Sequence, residues 1–302
     1  MNLVIGATGV LGQEVVRLLC EARKPVRALV RPGASAEKSS RLESLGATLV
    51  RGDLKHPSSL RDACAGASTI VSTASATLSR QEGDSIESVD ERGQLALIDA
   101  AEAAGVGHFV YLSFAPLSVD CALQRAKRAV EARLRESKLS FTVLQPVDFM
   151  EIWLSPALGF DPVHGKARIF GSGERPVSWI SLFDVARFAA AATEDPKLAG
   201  RVVPLGGPDA LSPLQVLEIF RELGGPEVEL ERVPESALEA QLSVATNPLE
   251  EAFAALMLST ARGYVVSSRE AVELLPGRLC TVREYAKQVL QNTREKGEIN
   301  GQ

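Results

Sequence analysis

The chain has 302 residues and a formal net charge of −5, with 45% apolar and 24% charged residues. These fractions are ordinary for a globular enzyme. Lys and Arg form no run long enough to follow a phosphate backbone, which argues against nucleic acid as a direct partner. No apolar stretch is long enough to cross a bilayer, which argues against a transmembrane protein.

The amino terminus and the scattered cysteines favour a reduced, cytoplasmic protein. Met1 to Gly6 leads directly into a strand-like segment, without the basic region, apolar region and cleavage site of a signal peptide. The cysteines form no C-x-x-C pair, and the histidines lack the spacing of metal ligands, so no metal site is predicted. These residues are Cys20, Cys64, Cys121, Cys280, His56, His108 and His164.

Short apolar runs alternate with segments of helical period through the first half of the chain. The predicted strands are residues 3–5, 26–30, 47–50, 69–72, 109–112 and 141–144. The segments between them repeat apolar residues every three or four positions, as Leu11, Val15 and Leu18 do. Such alternation predicts right-handed crossovers and a doubly wound parallel sheet of the Rossmann type. Its ligands are expected outside the carboxyl ends of the strands.

The alternation ends at Pro146, which predicts a second, smaller unit. Residues 146–178 are rich in aromatic residues, Gly and Pro, as in a loop-rich pocket wall, and Trp153 and Trp179 are predicted to be pocket wall or core. The segment from Ser181 to Asp184 resembles a capping box that begins an alanine-rich helix. Residues 201–205 are predicted to add a strand to the sheet. Further helices are predicted at residues 211–224, 235–258 and 280–292.

These patterns divide the chain into two interleaved units. Residues 1–147 are predicted to form the Rossmann domain, to which residues of about 179–206 return. Residues 148–178 and 207–302 are predicted to form a smaller α+β lobe that binds the substrate.

A G-x-x-G-x-x-G pattern follows the first predicted strand and precedes the first helix. Gly6 permits the sharp turn out of the strand, Gly9 allows a pyrophosphate to approach the backbone, and Gly12 lets the helix pack closely on the sheet. The N–H groups and the dipole at the helix start attract phosphates. The alternative is a tight strand-to-helix turn without a ligand. The predicted phosphate-binding residues are Gly6, Thr8, Gly9, Val10, Leu11 and Gly12.

The end of the second strand favours NADP(H) over NAD(H). A site for NAD usually carries Asp or Glu there to bind the ribose diol. This chain has Arg31, whose guanidinium can bind a 2′-phosphate with two hydrogen bonds. The alternative is that Arg31 is only a solvated residue at a strand end.

Two further strand ends supply candidate contacts to the nucleotide. Asp53 and Leu54 follow the third strand, where Asp53 is placed for the adenine edge or for capping a short turn. These two roles are compatible. Thr73 and Ala74 end the fourth strand and are expected under the nicotinamide ribose and the phosphates.

The chain resembles the atypical short-chain dehydrogenases, in the NmrA-like and isoflavone-reductase-like branch. The resemblance covers about the first 205 residues, and the chain beyond Pro208 matches only in general character. The matching segments are residues 6–9, 31, 52–53, 73–74, 105–113, 126–127, 137–146 and 180–186. The resemblance implies an NADPH-binding Rossmann domain and a smaller carboxy-terminal lobe that forms the substrate pocket. It also implies that Pro146 and Phe149 lie beside the nicotinamide.

The catalytic pattern departs from that of typical short-chain dehydrogenases. These enzymes use Tyr-x-x-x-Lys, in which the tyrosine exchanges a proton with the substrate. Lys127 matches the lysine, but Leu123 stands at the tyrosine position. Ser113 matches the serine after the fifth strand and is expected to orient a carbonyl. Lys127 lies on the apolar face of its helix and therefore needs a partner, such as a bound ribose, or a route to solvent.

These features predict an NADPH-dependent reductase of a small carbonyl, quinone or enone-like substrate, with Ser113 and Lys127 as catalytic residues. A second possibility is a non-catalytic NADP(H) sensor that acts through a protein partner. A sugar-nucleotide epimerase is a third, and the missing tyrosine argues against it. Tyr111 is predicted to be a core residue, and Cys121 a small buried hydrophobe.

Overall fold

The apolar runs in the first half of the chain form strands that helices cover on both sides. The computed structural model describes residues 1–79, 81–274 and 277–299. Every residue of the first and fourth strands is buried, as a parallel sheet between two helical layers requires. In chain order the strands are β1 (Asn2–Ile5), β2 (Val26–Val30), β3 (Thr48–Arg51), β4 (Thr69–Ser72), β5 (His108–Leu112), β6 (Ser140–Pro146), β7 (Phe160–Asp161), β8 (Lys166–Phe170), β9 (Arg201–Leu205) and β10 (Glu229–Val233).

Twelve α-helices connect and cover these strands in the described part of the chain. A π-helical segment, Ile86–Glu91, leads directly into the fourth of them. The helices are α1 (Val10–Glu21), α2 (Ala36–Ser44), α3 (Pro57–Cys64), α4 (Arg92–Ala103), α5 (Ala122–Glu136), α6 (Met150–Trp153), α7 (Leu182–Ala191), α8 (Pro213–Glu222), α9 (Glu235–Ser243), α10 (Pro248–Arg262), α11 (Arg269–Leu274) and α12 (Val282–Ile299). No helix among the described residues is both long and apolar enough to cross a membrane.

Seven strands form one parallel sheet in the order β3-β2-β1-β4-β5-β6-β9. The register places Leu3 of β1 between Arg27 of β2 and Ile70 of β4. The strand order reverses at β1, and ligands of such sheets bind beyond the carboxyl ends of the strands at this reversal. The predicted Rossmann-type sheet is therefore confirmed, including the additional strand at residues 201–205, which pairs with β6.

Two helical layers enclose the sheet. On one face, α1 packs against α7, and Val15 and Phe188 belong to a core cluster with Val4 of β1. On the other face, α4 packs between α3 and α5, and Leu97 joins a second cluster with Leu3. Successive residues of β1 thus face opposite layers, which is the period of a strand.

A smaller sheet contains the remaining three strands, in the order β10-β8-β7. β8 runs parallel to β10 and antiparallel to β7. The sequence of β8 alternates between exposed Lys166 and Arg168 and buried Ala167 and Ile169. This alternation covers only five residues and lies within residues 146–178, which the sequence predicted to be loop-rich. The three strands fall within the segments assigned to the smaller lobe, although the domain bounds themselves stay a prediction.

Two helical predictions need correction in detail. The predicted helix at residues 235–258 is interrupted, because Asn247 caps a new helix that begins at Pro248. Ser181 does cap α7 by accepting a hydrogen bond from Phe183 N. However, Asp184 does not complete a capping box, since its carboxylate accepts hydrogen bonds from Arg187 and from Cys280 N.

Candidate functional site

A cavity of about 420 Å³ lies at the carboxyl ends of the first strands of the sheet. This is where the strand order reverses, and its volume lies in the range of small-molecule sites. All the predicted site residues line this cavity except Ser113, Lys127 and Pro146. The predicted residues that line it are Gly6, Thr8, Gly9, Val10, Leu11, Gly12, Arg31, Asp53, Leu54, Thr73, Ala74 and Phe149.

The glycine turn brings the end of β1 against the start of α1 and the end of β4. Gly6 has a φ of +80°, and a Cβ there would lie 2.7 Å from Thr73 Oγ1. A Cβ at Gly12 would lie only 2.2 Å from Gly6 O. A Cβ at Gly9 would meet only Gly6 O, at 3.3 Å, so the remaining space around Gly9 is open. Gly6 and Gly12 therefore serve the close packing of the turn, whereas Gly9 leaves room for a ligand.

The start of α1 presents backbone N–H groups without a side-chain cap. Gly9 is the N-cap residue, and no acidic residue occurs in the first turn. The first N–H groups of a helix have no partner within it and attract anions. Val10, Leu11 and Gly12 begin this helix and all line the cavity. The residues present therefore fit a pyrophosphate, because the N–H donors are uncapped and Gly9 leaves their approach open.

Arg31 lies at the end of β2 and forms an ion pair that the sequence did not predict. Its Nη1 atom is 2.5 Å from Asp84 Oδ2, and Lys55 Nζ is 2.7 Å from the other carboxylate oxygen. Ser79 also donates a hydrogen bond to this carboxylate. Burial alone would raise the pKa of Asp84, but hydrogen bonds from Lys55, Ser79 and Arg31 outweigh it and lower the pKa.

Lys38 is a further cation at this end of the cavity that sequence reasoning missed. It is an exposed residue of α2, and it lines the cavity together with Arg31. A lysine seven residues after a strand-end arginine carries no local signal of its own. Only the packing of α2 beside β3 brings it to the cavity.

Asp53 caps the turn after β3, as the sequence allowed, and also lines the cavity. Its Oδ1 atom accepts a hydrogen bond from Lys55 N at 2.9 Å, which caps the turn after β3. The residue is 8% exposed and lines the cavity next to Leu54. Thr73, which also lines the cavity, donates a hydrogen bond from Oγ1 to Ile5 O at 3.1 Å and joins the ends of β4 and β1.

Lys127 is buried and has a carboxylate partner within the protein. Its Nζ atom lies 3.2 Å from Asp90 Oδ1 and donates to Leu112 O at 3.3 Å. It also lies 5.2 Å from the centroid of the Tyr111 ring. Leu112 lines the cavity but Lys127 does not, so the ammonium group lies behind the wall that Leu112 forms.

Ser113 and Pro146 also lie outside the lining of the cavity. Ser113 Oγ donates a hydrogen bond to Glu131 Oε1 at 2.6 Å, and Gln145 Nε2 donates to the same oxygen at 2.9 Å. Pro146 ends β6, and its carbonyl oxygen accepts a hydrogen bond from Ala115 N at 2.9 Å. Glu131 thus holds Ser113 in a buried polar cluster.

Tyr111 and Leu123 are buried, as expected of core residues. The Tyr111 hydroxyl has no hydrogen-bond partner among the described residues. Burial, together with the charges of Asp90 and Glu131, raises the pKa of Tyr111. The complete burial of its side chain confirms the prediction that Tyr111 is a core residue. Leu123 packs in a cluster with Cys121, which is also buried as predicted.

Part of the cavity wall comes from the segment at the start of α6 and contains Phe149, Glu151 and Ile152. The Glu151 carboxylate accepts hydrogen bonds from Ser181 Oγ at 2.6 Å and from Leu182 N at 2.8 Å. It therefore ties this wall to the start of α7. Sequence reasoning missed Glu151, because its partners lie about thirty residues away.

The two tryptophans pack in one apolar cluster with residues of α8 and α12. Trp179 is 2% exposed, and its Nε1 atom donates to Leu211 O at 2.8 Å. Trp153 packs against the same cluster and makes an edge-to-face contact with Phe170 at 6.1 Å. Within the described ranges, no group of three or more His, Cys, Asp or Glu side chains is arranged to hold a metal ion.

A parallel sheet with its strand reversal at β1, a glycine turn and an uncapped helix start define a Rossmann-type α/β protein with a site suited to a dinucleotide. The chain belongs to the NmrA-like family, which matches residues 2–286. The family resemblance found in the sequence is therefore confirmed.

Similar proteins include both enzymes and assembly factors. The NAD(P)H azoreductase of Xenophilus azovorans is 31% identical over 293 residues, which are 95% of this chain and 97% of that protein. The photosystem II assembly factor Ycf39 of Cyanophora paradoxa is 30% identical over 240 residues, which are 78% of this chain and 73% of that protein.

Solved structures show the same fold. The NADPH-dependent quinone oxidoreductase of Escherichia coli complexed with NADPH aligns with a TM-score of 0.76 at 22% identity, covering 96% of this chain and 99% of that one. The triphenylmethane reductase of Citrobacter sp. complexed with NADP(H) aligns with a TM-score of 0.77 at 22% identity, covering 95% and 99%. At these identities the likeness shows the fold alone.

Proposed function

We propose that this protein is an NADPH-dependent reductase of a quinone or enone-like substrate. The observation that carries the proposal is the cavity itself, in which an uncapped helix start and Arg31 lie at the strand reversal. Anion-binding groups at these two positions suit the pyrophosphate and the 2′-phosphate of NADP(H). The azoreductase relative supports the same class of activity.

Each part of the nucleotide has a set of residues that can hold it. The N–H groups at the start of α1 would bind the pyrophosphate beside Gly9, and Arg31 and Lys38 would bind the 2′-phosphate. Asp53 and Leu54 would contact the adenine. Thr73 and Ala74 would lie under the nicotinamide ribose and the phosphates, with Phe149 and Pro146 toward the nicotinamide. These assignments follow from the positions of the strand ends.

The character of the cavity wall favours an acceptor that needs no proton from the protein. Among the described residues that line the cavity, none is Tyr, His or Cys. The two lining carboxylates, Asp53 and Glu151, already accept hydrogen bonds within the protein, and Lys38 is assigned to the 2′-phosphate. Bound NADPH supplies a hydride, and a quinone or enone can delocalise the resulting negative charge until water provides a proton. A simple ketone needs a general acid beside its oxygen. The cavity therefore suits a quinone or enone better than a simple ketone.

Lys127 and Ser113 would support this reaction from behind the wall. Lys127 donates to the carbonyl of Leu112, which lines the cavity, and its positive charge would favour a ribose hydroxyl or a developing anion near that residue. Ser113 follows Leu112 and would orient a substrate carbonyl once its hydroxyl turns away from Glu131. Both roles require a small rearrangement of the buried partners when the nucleotide binds.

Nucleotide binding tests the first part of the proposal. Titration calorimetry should show that Arg31→Ala lowers the affinity for NADPH by about tenfold to a hundredfold. The affinity for NADH should stay nearly unchanged. Arg41→Ala is the matched control, because Arg41 is an exposed arginine of α2 that does not line the cavity. An equal loss for both nucleotides in Arg31→Ala would contradict the assignment of Arg31.

Turnover tests the second part. NADPH oxidation should be followed with a panel of quinones, enones and simple ketones, and the rates should be highest with quinones or enones. Lys127→Ala should lower kcat for the best acceptor. If simple ketones react as fast as quinones, the argument from the missing proton donor is wrong.

A non-catalytic NADP(H) sensor that acts through a protein partner is the second candidate function. Lys127 and Ser113 are held by Asp90 and Glu131, and neither lines the cavity. The similarity to an assembly factor supports this alternative. NADPH binding without oxidation across the whole panel, unchanged in Lys127→Ala, would favour the sensor over the enzyme.

A further inference from the structure

We propose that Asp84 is a specificity-determining residue of the nucleotide site, and that it reduces the preference for a 2′-phosphate that Arg31 provides. This inference rests on the proposed function, because it assumes that the ribose end of NADP(H) binds beside Arg31. It concerns a carboxylate that lies 53 positions from Arg31 in the chain and belongs to none of the strand-end motifs.

Asp84 lies beside the end of the second strand, where dinucleotide sites usually discriminate between NAD(H) and NADP(H). In sites for NAD, an acidic residue at the end of the second strand binds the ribose diol, whereas arginine nearby accommodates a 2′-phosphate. Here β2 ends beside Arg31, and Asp84 reaches the same guanidinium from the segment after β4. A guanidinium and a carboxylate thus meet at this position, although Arg31 lines the cavity and Asp84 does not, so Asp84 acts on the ligand through Arg31.

Asp84 is held firmly in this position. Its side chain is only 2% exposed, while those of Arg31 and Lys55 are 30% and 19% exposed. Lys55 Nζ also donates to Glu82 O at 2.9 Å, which fixes the backbone just before Asp84. The carboxylate is therefore retained when a ligand arrives, by hydrogen bonds from Arg31 and Ser79, by the ion pair with Lys55 and by the adjacent backbone.

A 2′-phosphate must then share Arg31 with this carboxylate. The guanidinium has a limited number of N–H donors, and one already points to Asp84 Oδ2 at 2.5 Å. A phosphate near Arg31 also meets the negative charge of Asp84, which repels it across a partly buried site. A ribose with a free 2′-hydroxyl brings no negative charge and therefore meets no such repulsion. Asp84 consequently narrows the difference in affinity between NADPH and NADH.

The test uses two nucleotide fragments that lack nicotinamide, so that only this end of the site is measured. The affinities of 2′,5′-ADP and 5′-ADP are compared by calorimetry for the wild-type protein, Asp84→Asn and Asp84→Ser. Asparagine keeps an oxygen that accepts from Arg31 but removes the charge. Glu82→Gln is the matched control, because it removes an exposed carboxylate two positions away.

The affinity ratio of 2′,5′-ADP to 5′-ADP should rise about tenfold in Asp84→Asn and also rise in Asp84→Ser, while Glu82→Gln leaves it unchanged. An unchanged or lower ratio in a folded Asp84 variant overturns the inference, and a lower ratio would mean that Asp84 orients Arg31 toward the phosphate. If Asp84→Asn does not fold, the affinity ratio measured for Asp84→Ser decides the question. If the wild-type protein binds neither fragment and neither NADPH nor NADH, the proposed function fails instead.

Discussion

The Nζ atom of Lys127 lies 3.2 Å from Asp90 Oδ1, and the two side chains are 6% and 0% exposed. Lys127 is on α5, and Asp90 is on the π-helical segment that precedes α4. The second carboxylate oxygen of Asp90 accepts a hydrogen bond from Ala76 N at 2.8 Å. Asp90 therefore links the buried lysine to the segment after β4, part of which lines the cavity. π-Helical segments are often found at functional sites.

Asp90→Asn should destabilise the protein by about 3 kcal/mol, because a buried ammonium group then lacks its carboxylate partner. Asparagine retains an oxygen for the hydrogen bond from Ala76 N, so the change removes mainly the charge. Urea unfolding of the wild-type and variant proteins measures the effect. Asp99→Asn is the matched control, since Asp99 pairs with Arg133 at 2.8 Å but its side chain is 66% exposed. Asp99→Asn should lower the free energy of unfolding by less than about 1 kcal/mol.

The double variant Asp90→Asn with Lys127→Met should recover much of that loss. A methionine fills a volume similar to that of the lysine stem and carries no charge that needs a partner. Equal losses in the single and double variants would show that the pair contributes packing and not charge compensation.

Gly9→Ala and Gly12→Ala should separate binding from folding. The new Cβ at residue 12 would lie 2.2 Å from Gly6 O, so Gly12→Ala should destabilise the protein by about 2–3 kcal/mol or prevent folding. Gly9→Ala meets only Gly6 O at 3.3 Å and should cost about 1 kcal/mol or less. Its methyl group should nevertheless obstruct the approach of the pyrophosphate.

Thermal unfolding with and without NADPH checks this pair of variants. Gly9→Ala should melt close to the wild-type temperature but lose most of the stabilisation that NADPH provides. If NADPH stabilises Gly9→Ala as strongly as the wild type, the assignment of the glycine turn to the nucleotide site is wrong.

Asp148→Asn should become increasingly stabilising as the pH rises. Asp148 is 4% exposed, and its oxygens accept hydrogen bonds from Thr260 Oγ1 at 2.7 Å and Tyr264 Oη at 2.9 Å. Burial raises the pKa of Asp148 to about 7, although these two hydrogen bonds lower it. The unfolded chain has the ordinary pKa of about 3.9. Because the folded state binds the proton more tightly, stability is lost as the pH rises from about 4 to about 7.

Urea unfolding at pH 5 and pH 8 measures this dependence. The advantage of Asp148→Asn over the wild type should grow by about 2 kcal/mol between these pH values, since the amide never ionises. The amide oxygen can still accept from Tyr264, and Thr260 Oγ1 can turn to Leu256 O at 3.0 Å. Parallel stability curves for the two proteins would contradict the raised pKa.

Local patterns in the sequence predicted the features that depend on neighbouring residues. The apolar run before Gly6 and the helical period after Gly12 predicted β1, the turn and α1 within a few positions. The same reasoning placed Arg31 at the end of β2, where the structure has it beside the cavity. The helical spacing of Lys127 with Val130 and Leu134 predicted that a lysine would lie on a buried face, and it does.

The partners of these residues were not predicted. Asp84 was absent from the candidate site although it pairs with Arg31, and a bound ribose was considered for Lys127 where the structure has Asp90. The lobe was predicted to be α+β, but its strands were not located, because β8 and β10 are five residues each and lie in segments without a strong period. A short, isolated strand is stabilised by the strand beside it, and its own sequence carries little of that information.

The sequence by itself determined the sheet, the glycine turn and the positions of the basic residues, since periodicity and turn geometry depend on residues a few positions apart. Only the tertiary structure decided which charges meet. The strand order β3-β2-β1-β4 brings the segment after β4 back to the ends of β2 and β3, where Asp84 contacts Arg31 and Lys55. An ion pair that spans 53 positions leaves no periodic signal in the chain, because its energy depends on distance in space and on burial and not on sequence spacing.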